Sequence, residues 1–99
     1  MNLKSAVEKN WSCEAQQYSE NVKIELESNL PNQWISLIEK YVPRTDYKNV
    51  LDIGTGPGFF PIILSKCGYT VTGIDCTPAM LDEAKKNLQL YNVSANILH

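Results

Sequence analysis

The chain has 99 residues, 43% hydrophobic and 20% charged, with a formal net charge of −2. That balance belongs to ordinary globular domains and excludes collagen-like and disordered chains. It also supplies no cationic field to gather nucleic acid or an anionic membrane, so neither partner is expected.

Three cysteines and one histidine, with no C-x-x-C pair, make neither a disulfide framework nor a zinc ligand set. The opening residues 1–7 carry no continuous apolar run, and nowhere do 18 apolar residues stand together. A metal-free protein of a reducing, cytoplasmic compartment is the expectation.

Residues 2–42 read as helical, because their apolar positions recur at three and four. Trp34, Leu37, Ile38 and Tyr41 stand at i, i+3, i+4 and i+7, with Pro31 at the first helical position and Pro43 beyond the end. This helix is expected to pack on a sheet. Ahead of it, Ser12–Ser28 carries Ala15, Tyr18, Val22, Ile24 and Leu26 less regularly, which fits two short helices or one bent one.

Arg44–Lys48 is polar, and Asn49–Ile53 then reads as a strand. Its aliphatic side chains alternate onto both sides, as expected where a parallel sheet lies between two helix layers. A helix follows over Phe59–Cys67, with Pro61 tolerable in its first turn and Gly68 placed to end it in a left-handed conformation. Thr70–Asp75 is the second strand. Thr77 caps the next helix, Pro78 opens it, and Met80, Leu81, Ala84 and Leu88 mark its apolar face as far as about Tyr91. The Lys85-Lys86 pair reads as a solvated helix face. Val93–Leu98 begins a third strand. Right-handed β-α-β-α-β crossovers leave one side of the first strand unpaired, so self-association through this exposed apolar edge is expected.

The chemistry concentrates in Val50-Leu51-Asp52-Ile53-Gly54-Thr55-Gly56-Pro57-Gly58 and in Gly73-Ile74-Asp75, whose carboxylate stands 21 positions after Gly54. Glycines admit positive φ and let a ligand lie against bare backbone. A carboxylate at the tip of the next strand can accept hydrogen bonds from both hydroxyls of a ribose. A dinucleotide fingerprint would place a small residue where Phe59 stands, and Asp52 would confront a bound pyrophosphate. D-x-G-x-G-x-G with a downstream acid instead resembles the first two motifs of the class I S-adenosylmethionine-dependent methyltransferases. Trp11, Ala15 and Tyr18 are similar to the W-x-x-x-A-x-x-Y pattern found ahead of the core domain in many small-molecule members.

The resemblance implies an α/β fold: the N-terminal half of a Rossmann-like, doubly wound parallel sheet over residues 44–99, behind a helical segment over residues 1–43. A whole such sheet needs more than 99 residues, so a partial domain with little or no activity by itself is expected. The resemblance also implies S-adenosylmethionine as cofactor. Gly54, Thr55, Gly56 and Gly58 would lie against it, Asp75 would hold the ribose, Asp52 the amino group, and Cys76 and Met80 would border adenine. Blander roles remain open: Asp52 could receive backbone N–H groups, Met80 could be a core residue, and Trp11 and Tyr18 could serve packing rather than a lid. Acceptor-selecting residues in this family usually follow the fourth strand, so no catalytic residue is named. The acceptor is expected to be a small molecule. A nicotinamide-binding oxidoreductase and a non-catalytic assembly module are the competing classes.

Overall fold

The computed structural model describes the backbone of residues 3–99 and the side chains of Leu3 and of residues 14–99. The side chains of Trp11 and Cys13 fall outside the described residues. Helix α1 runs Leu3–Leu26, α2 Leu30–Tyr41, strand β1 Asn49–Ile53, α3 Phe59–Lys66, β2 Thr70–Ile74, α4 Pro78–Leu90 and β3 Asn96–Leu98.

Helix α1 is one continuous element rather than two short ones. Among its described side chains, Ala15, Ser19 and Val22 are buried, followed by the partly buried Leu26, a spacing of four, three and four that keeps one stripe inward. Tyr18 and Ile24 point outward and break the pattern when read as core. Helix α2 opens on Leu30-Pro31 and packs against α1 and α3. Leu30, Ile35 and Ile38 meet the core, and Trp34 sets its ring edge-on to Phe60 at 5.1 Å, while Leu37 and Tyr41 stay exposed.

The three strands are parallel in the order β1-β2-β3, with Val50 opposite Val71, Asp52 opposite Gly73 and Gly73 opposite Ile97. Both crossover helices end in the same way. Gly68 at φ 94° follows α3, and Asn92 at φ 56° follows α4. In each case the next two N–H groups turn back: Gly68 and Tyr69 donate to Ser65 and Leu64, Asn92 and Val93 to Gln89 and Leu88. These left-handed caps satisfy carbonyls the helix would leave open. The second cap occupies Asn92 and Val93, and for that reason β3 begins only at Asn96 rather than at Val93.

The core joins Val22, Phe59, Ile63, Leu64, Tyr69 and Val71, with Val50 and Ala95 at its margin, so the helical segment shares its apolar interior with the sheet. Side chains this enclosed contribute about 2–5 kcal/mol each relative to alanine. The tyrosine brings its hydroxyl along: Tyr69 donates to the Val42 carbonyl at 2.9 Å, and burial pushes its pKa up.

Coverage of the sheet is one-sided. Val71 and Gly73 are buried, whereas Leu51 is 59% and Ile53 76% exposed on the opposite face. The expectation that helices cover both faces of β1 is therefore not met among the described residues. Alternation of apolar side chains reports that a strand can be covered on both sides; it does not supply the covering element. The outer edge of β1 has no partner strand among the described residues. No helix among them is long and apolar enough to cross a membrane.

Candidate functional site

The site begins where β1 stops. The N–H groups of Gly54 and Thr55 both donate to the Ile74 carbonyl at 2.9 Å, which ties the start of the bend to the end of β2. Gly54, Gly56 and Gly58 then adopt φ values of 74°, 53° and 96°. A side chain would strain each by about 1 kcal/mol or more.

The surroundings of the three glycines differ. A methyl group built on Gly54 or on Gly56 would meet no atom within 4 Å, whereas one on Gly58 would stand 3.4 Å from the Ala84 Cβ of α4. The first two leave open space beside the backbone. The third lets α4 approach.

Asp75 follows β2 and closes this arrangement. One carboxylate oxygen accepts the Gly56 N–H at 2.9 Å, and the other accepts the Thr77 N–H at 2.9 Å. The acid thus faces the mouth of the bend and clamps it to the start of α4. Thr77 occupies the N-cap position without the side-chain capping bond expected of it; its own N–H is what Asp75 takes. Each carboxylate oxygen retains a further lone pair for a ligand hydroxyl.

Asp52 and Thr55 lie on the covered side. The Thr55 hydroxyl donates to the Asp52 carboxylate at 2.7 Å. Burial pushes the Asp52 pKa above its usual range, the Thr55 hydrogen bond works against that shift, and the charge of Asp75 adds to it. With the negative charge of Asp75 beside it, the neighbourhood of Asp52 is a place where a cation is welcome.

An open cleft of about 420 Å³ runs along Ile53, Gly54, Ile74, Asp75, Cys76 and His99. Gly54, Asp75 and the exposed Cys76 thus share one opening. Met80 is 7% exposed and sits on the core side of α4, and Gly58 is buried against the same helix. No group of three or more metal-ligating side chains occurs among the described residues.

The roles of two residues escaped the sequence reading. Gly73 lacks the Cβ that would stand 2.6 Å from the Thr55 hydroxyl, so it makes room for the side chain that holds Asp52. A glycine inside a strand pattern is the signal for such a close approach. Asn87 is buried in α4 and donates both to the Pro57 carbonyl at 2.9 Å and to the Ser19 hydroxyl at 3.0 Å. A polar residue on the apolar stripe of Met80, Ala84 and Leu88 was its only signature.

Residues 50–99 match the family model described as a methyltransferase domain. The chain belongs to the class I S-adenosylmethionine-dependent methyltransferases. Relatives in this family include the ribosomal protein L11 methyltransferase of Clostridium perfringens, 38% identical over 60 residues, which cover 60% of this chain and 18% of that protein. The ubiquinone biosynthesis O-methyltransferase of Coxiella burnetii is 37% identical over 49 residues, covering 50% of this chain and 21% of that one. The match therefore spans a minor share of these relatives' length. Among solved structures, the Pyrococcus abyssi tRNA (uracil-54, C5)-methyltransferase in complex with S-adenosyl-L-homocysteine superposes with a TM-score of 0.54 at 29% identity, over 68% of this chain and 17% of that one. A Methanococcus maripaludis protein assigned as an S-adenosyl-L-methionine-dependent methyltransferase gives 0.75 at 23% identity, over 89% of this chain and 41% of that one, a likeness of fold.

Proposed function

We propose that this methyltransferase chain binds S-adenosylmethionine across the glycine bend and Asp75, within a protein that methylates a small molecule. The observation that carries the reading is the Asp75 carboxylate, 2.9 Å from the Gly56 N–H, beside the space left open above Gly54 and Gly56. Asp75 accepts the ribose hydroxyls. Gly54, Thr55 and Gly56 offer backbone to the adenosyl group, and Gly58 gives the turn that presents them. Asp52 takes the cationic amino end, and Cys76, which lines the opening, borders adenine, while Met80 serves the core side of α4.

When bound, the cofactor supplies an electrophilic methyl group on a sulfonium centre. The residues named here bind and orient it; alignment with an acceptor is the larger part of such catalysis. No residue is assigned a proton-transfer role. A pyrophosphate would have to sit beside Asp52, and Phe59 stands where a dinucleotide fingerprint has a small residue, which argues against a nicotinamide dinucleotide.

A small-molecule acceptor is supported by the charge balance of nine basic against eleven acidic residues, which lacks the cationic surface an RNA substrate calls for. The Coxiella relative, named for ubiquinone biosynthesis, is in keeping with it. A reducing, cytoplasmic setting suits the free thiols of Cys67 and Cys76. The β1 edge, unpaired among the described residues, and the exposed Leu51 and Ile53 support self-association. A compact monomer by sedimentation at high concentration would contradict that last point.

Titration calorimetry with S-adenosylhomocysteine tests the cofactor assignment. Heat of binding is expected from the protein, a loss of about a hundredfold in affinity from Asp75→Ala, and no heat from NAD. Binding of NAD in place of S-adenosylhomocysteine would overturn it.

A further inference from the structure

The glycine bend is held from two directions, and only one of them belongs to the motif. From the sheet side, Asp75 takes the Gly56 N–H. From the helix side, the next residue is held by Asn87, whose carboxamide nitrogen donates to the Pro57 carbonyl at 2.9 Å. Its other hydrogen goes to the Ser19 hydroxyl of α1 at 3.0 Å. Asn87 and Ser19 are each 1% exposed. Asparagine is a poor helix former, and burying its amide is unfavourable unless it is paired, so an apolar residue would serve the α1–α4 contact better if packing were its whole purpose. Proline gives the bend no N–H at position 57, which leaves that residue's carbonyl as its one backbone handle. Gly56 and Gly58 flank it, both at positive φ, and neither has a side chain to wedge the peptide in place.

We propose that Asn87 is a positioning residue for the cofactor loop: by fixing the Pro57 peptide it sets the orientation in which Gly56 presents its backbone, and through Ser19 it makes the docking of α1 part of the same hold. This rests on the cofactor reading given above. Apolar replacement leaves the Pro57 carbonyl buried and unpaired, so the bend rotates to reach solvent and its cofactor-facing surface is no longer ready-made. Cutting the bond to α1 alone leaves the Pro57 contact in place. The two sides of the carboxamide are therefore separable.

The test is calorimetric titration of S-adenosylhomocysteine into the full chain, Asn87→Leu and Ser19→Ala, at a temperature where thermal melts show each protein folded. Asn87→Leu is expected to weaken binding about tenfold, and Ser19→Ala less than about threefold although both lower Tm. Equal affinity of Asn87→Leu and the parent, with Tm alone reduced, would overturn the proposal and leave the cofactor reading intact. A parent chain that binds no S-adenosylhomocysteine would overturn both. Should Asn87→Leu fail to fold, the side-chain amide resonances of Asn87 in the unsubstituted protein decide: they are expected to shift on addition of S-adenosylhomocysteine, and unchanged resonances at saturation would refute the coupling.

Discussion

Gly54 and Gly56 on one side of the bend, and Gly58 on the other, share a positive φ and differ in what they face. Open space lies beside the first two, and Ala84 of α4 stands 3.4 Å from where a Cβ of the third would be. A single five-residue stretch thus separates two uses of glycine. The leading pair leaves open space beside the backbone, and the last lets a helix close on the bend. Substitutions should follow this division, with affinity lost at one end and stability at the other.

The largest expected effect is at the packed end. Gly58→Val puts a branched side chain at positive φ and against α4, and is expected to cost about 3 kcal/mol or more in urea unfolding. Unchanged stability would mean that the bend and α4 are not closely joined. At the open end, Gly54→Ala is expected to cost about 1 kcal/mol of stability from backbone strain but about tenfold in S-adenosylhomocysteine affinity. If the affinity held while stability fell, the space beside Gly54 would not be a ligand surface.

Thr55→Val comes next, since it removes the hydroxyl that donates to Asp52 at 2.7 Å. A loss of about 1 kcal/mol is expected, with the Asp52 pKa rising further, both readable from unfolding curves and carboxylate NMR titration. The smallest effect concerns Asp52 itself. Its folded pKa is raised by burial and by Asp75, so the fold holds this proton more tightly than the unfolded chain does. Stability is therefore lost as pH rises through the folded pKa. Asp52→Asn should be more stable than the parent at neutral pH, by less than about 1 kcal/mol for a half-buried group screened by solvent. The gap should close as pH falls below the ordinary aspartate range near about 4. A gap that widens in acid would reverse the sign assigned to Asp52.

Much of the fold could be read from residues with hard conformational demands. Pro61 and Gly68 bracket α3, Pro78 opens α4, and the aliphatic runs of β1 and β2 end at the glycine bend and at Asp75. Helix α1 was less legible because Ser19 stands on its inward face, and its reason for being there is Asn87, 68 residues away. Gly73 was hidden in the same way, since its value depends on Thr55 in another element. The apolar stripe of α2 misled because Leu37 and Tyr41, in register with Trp34, remain exposed. Local pattern names an element's possible faces; the partner that selects one of them is not local.

The site divides similarly. The sequence pointed to Gly54, Gly56 and Asp75; in the structure Gly54 and Asp75 line one opening, and Asp75 accepts the Gly56 N–H. It could not tell that Asp75 also takes the Thr77 N–H, or that Met80 and Gly58 turn toward the core side of α4. Those facts follow from how α4 docks. Its start is held by Asp75 and its buried stripe by α1 and the bend.

The most direct test of the central claim is a ¹⁵N–¹H titration of the chain with S-adenosylhomocysteine, following the glycine and Asp75 amides. The account predicts the largest shifts at Gly54, Gly56 and Asp75, a smaller one at Gly58, and none at Gly68 beyond α3. Shifts centred elsewhere, with Gly54, Gly56 and Asp75 unmoved at saturating ligand, would contradict it.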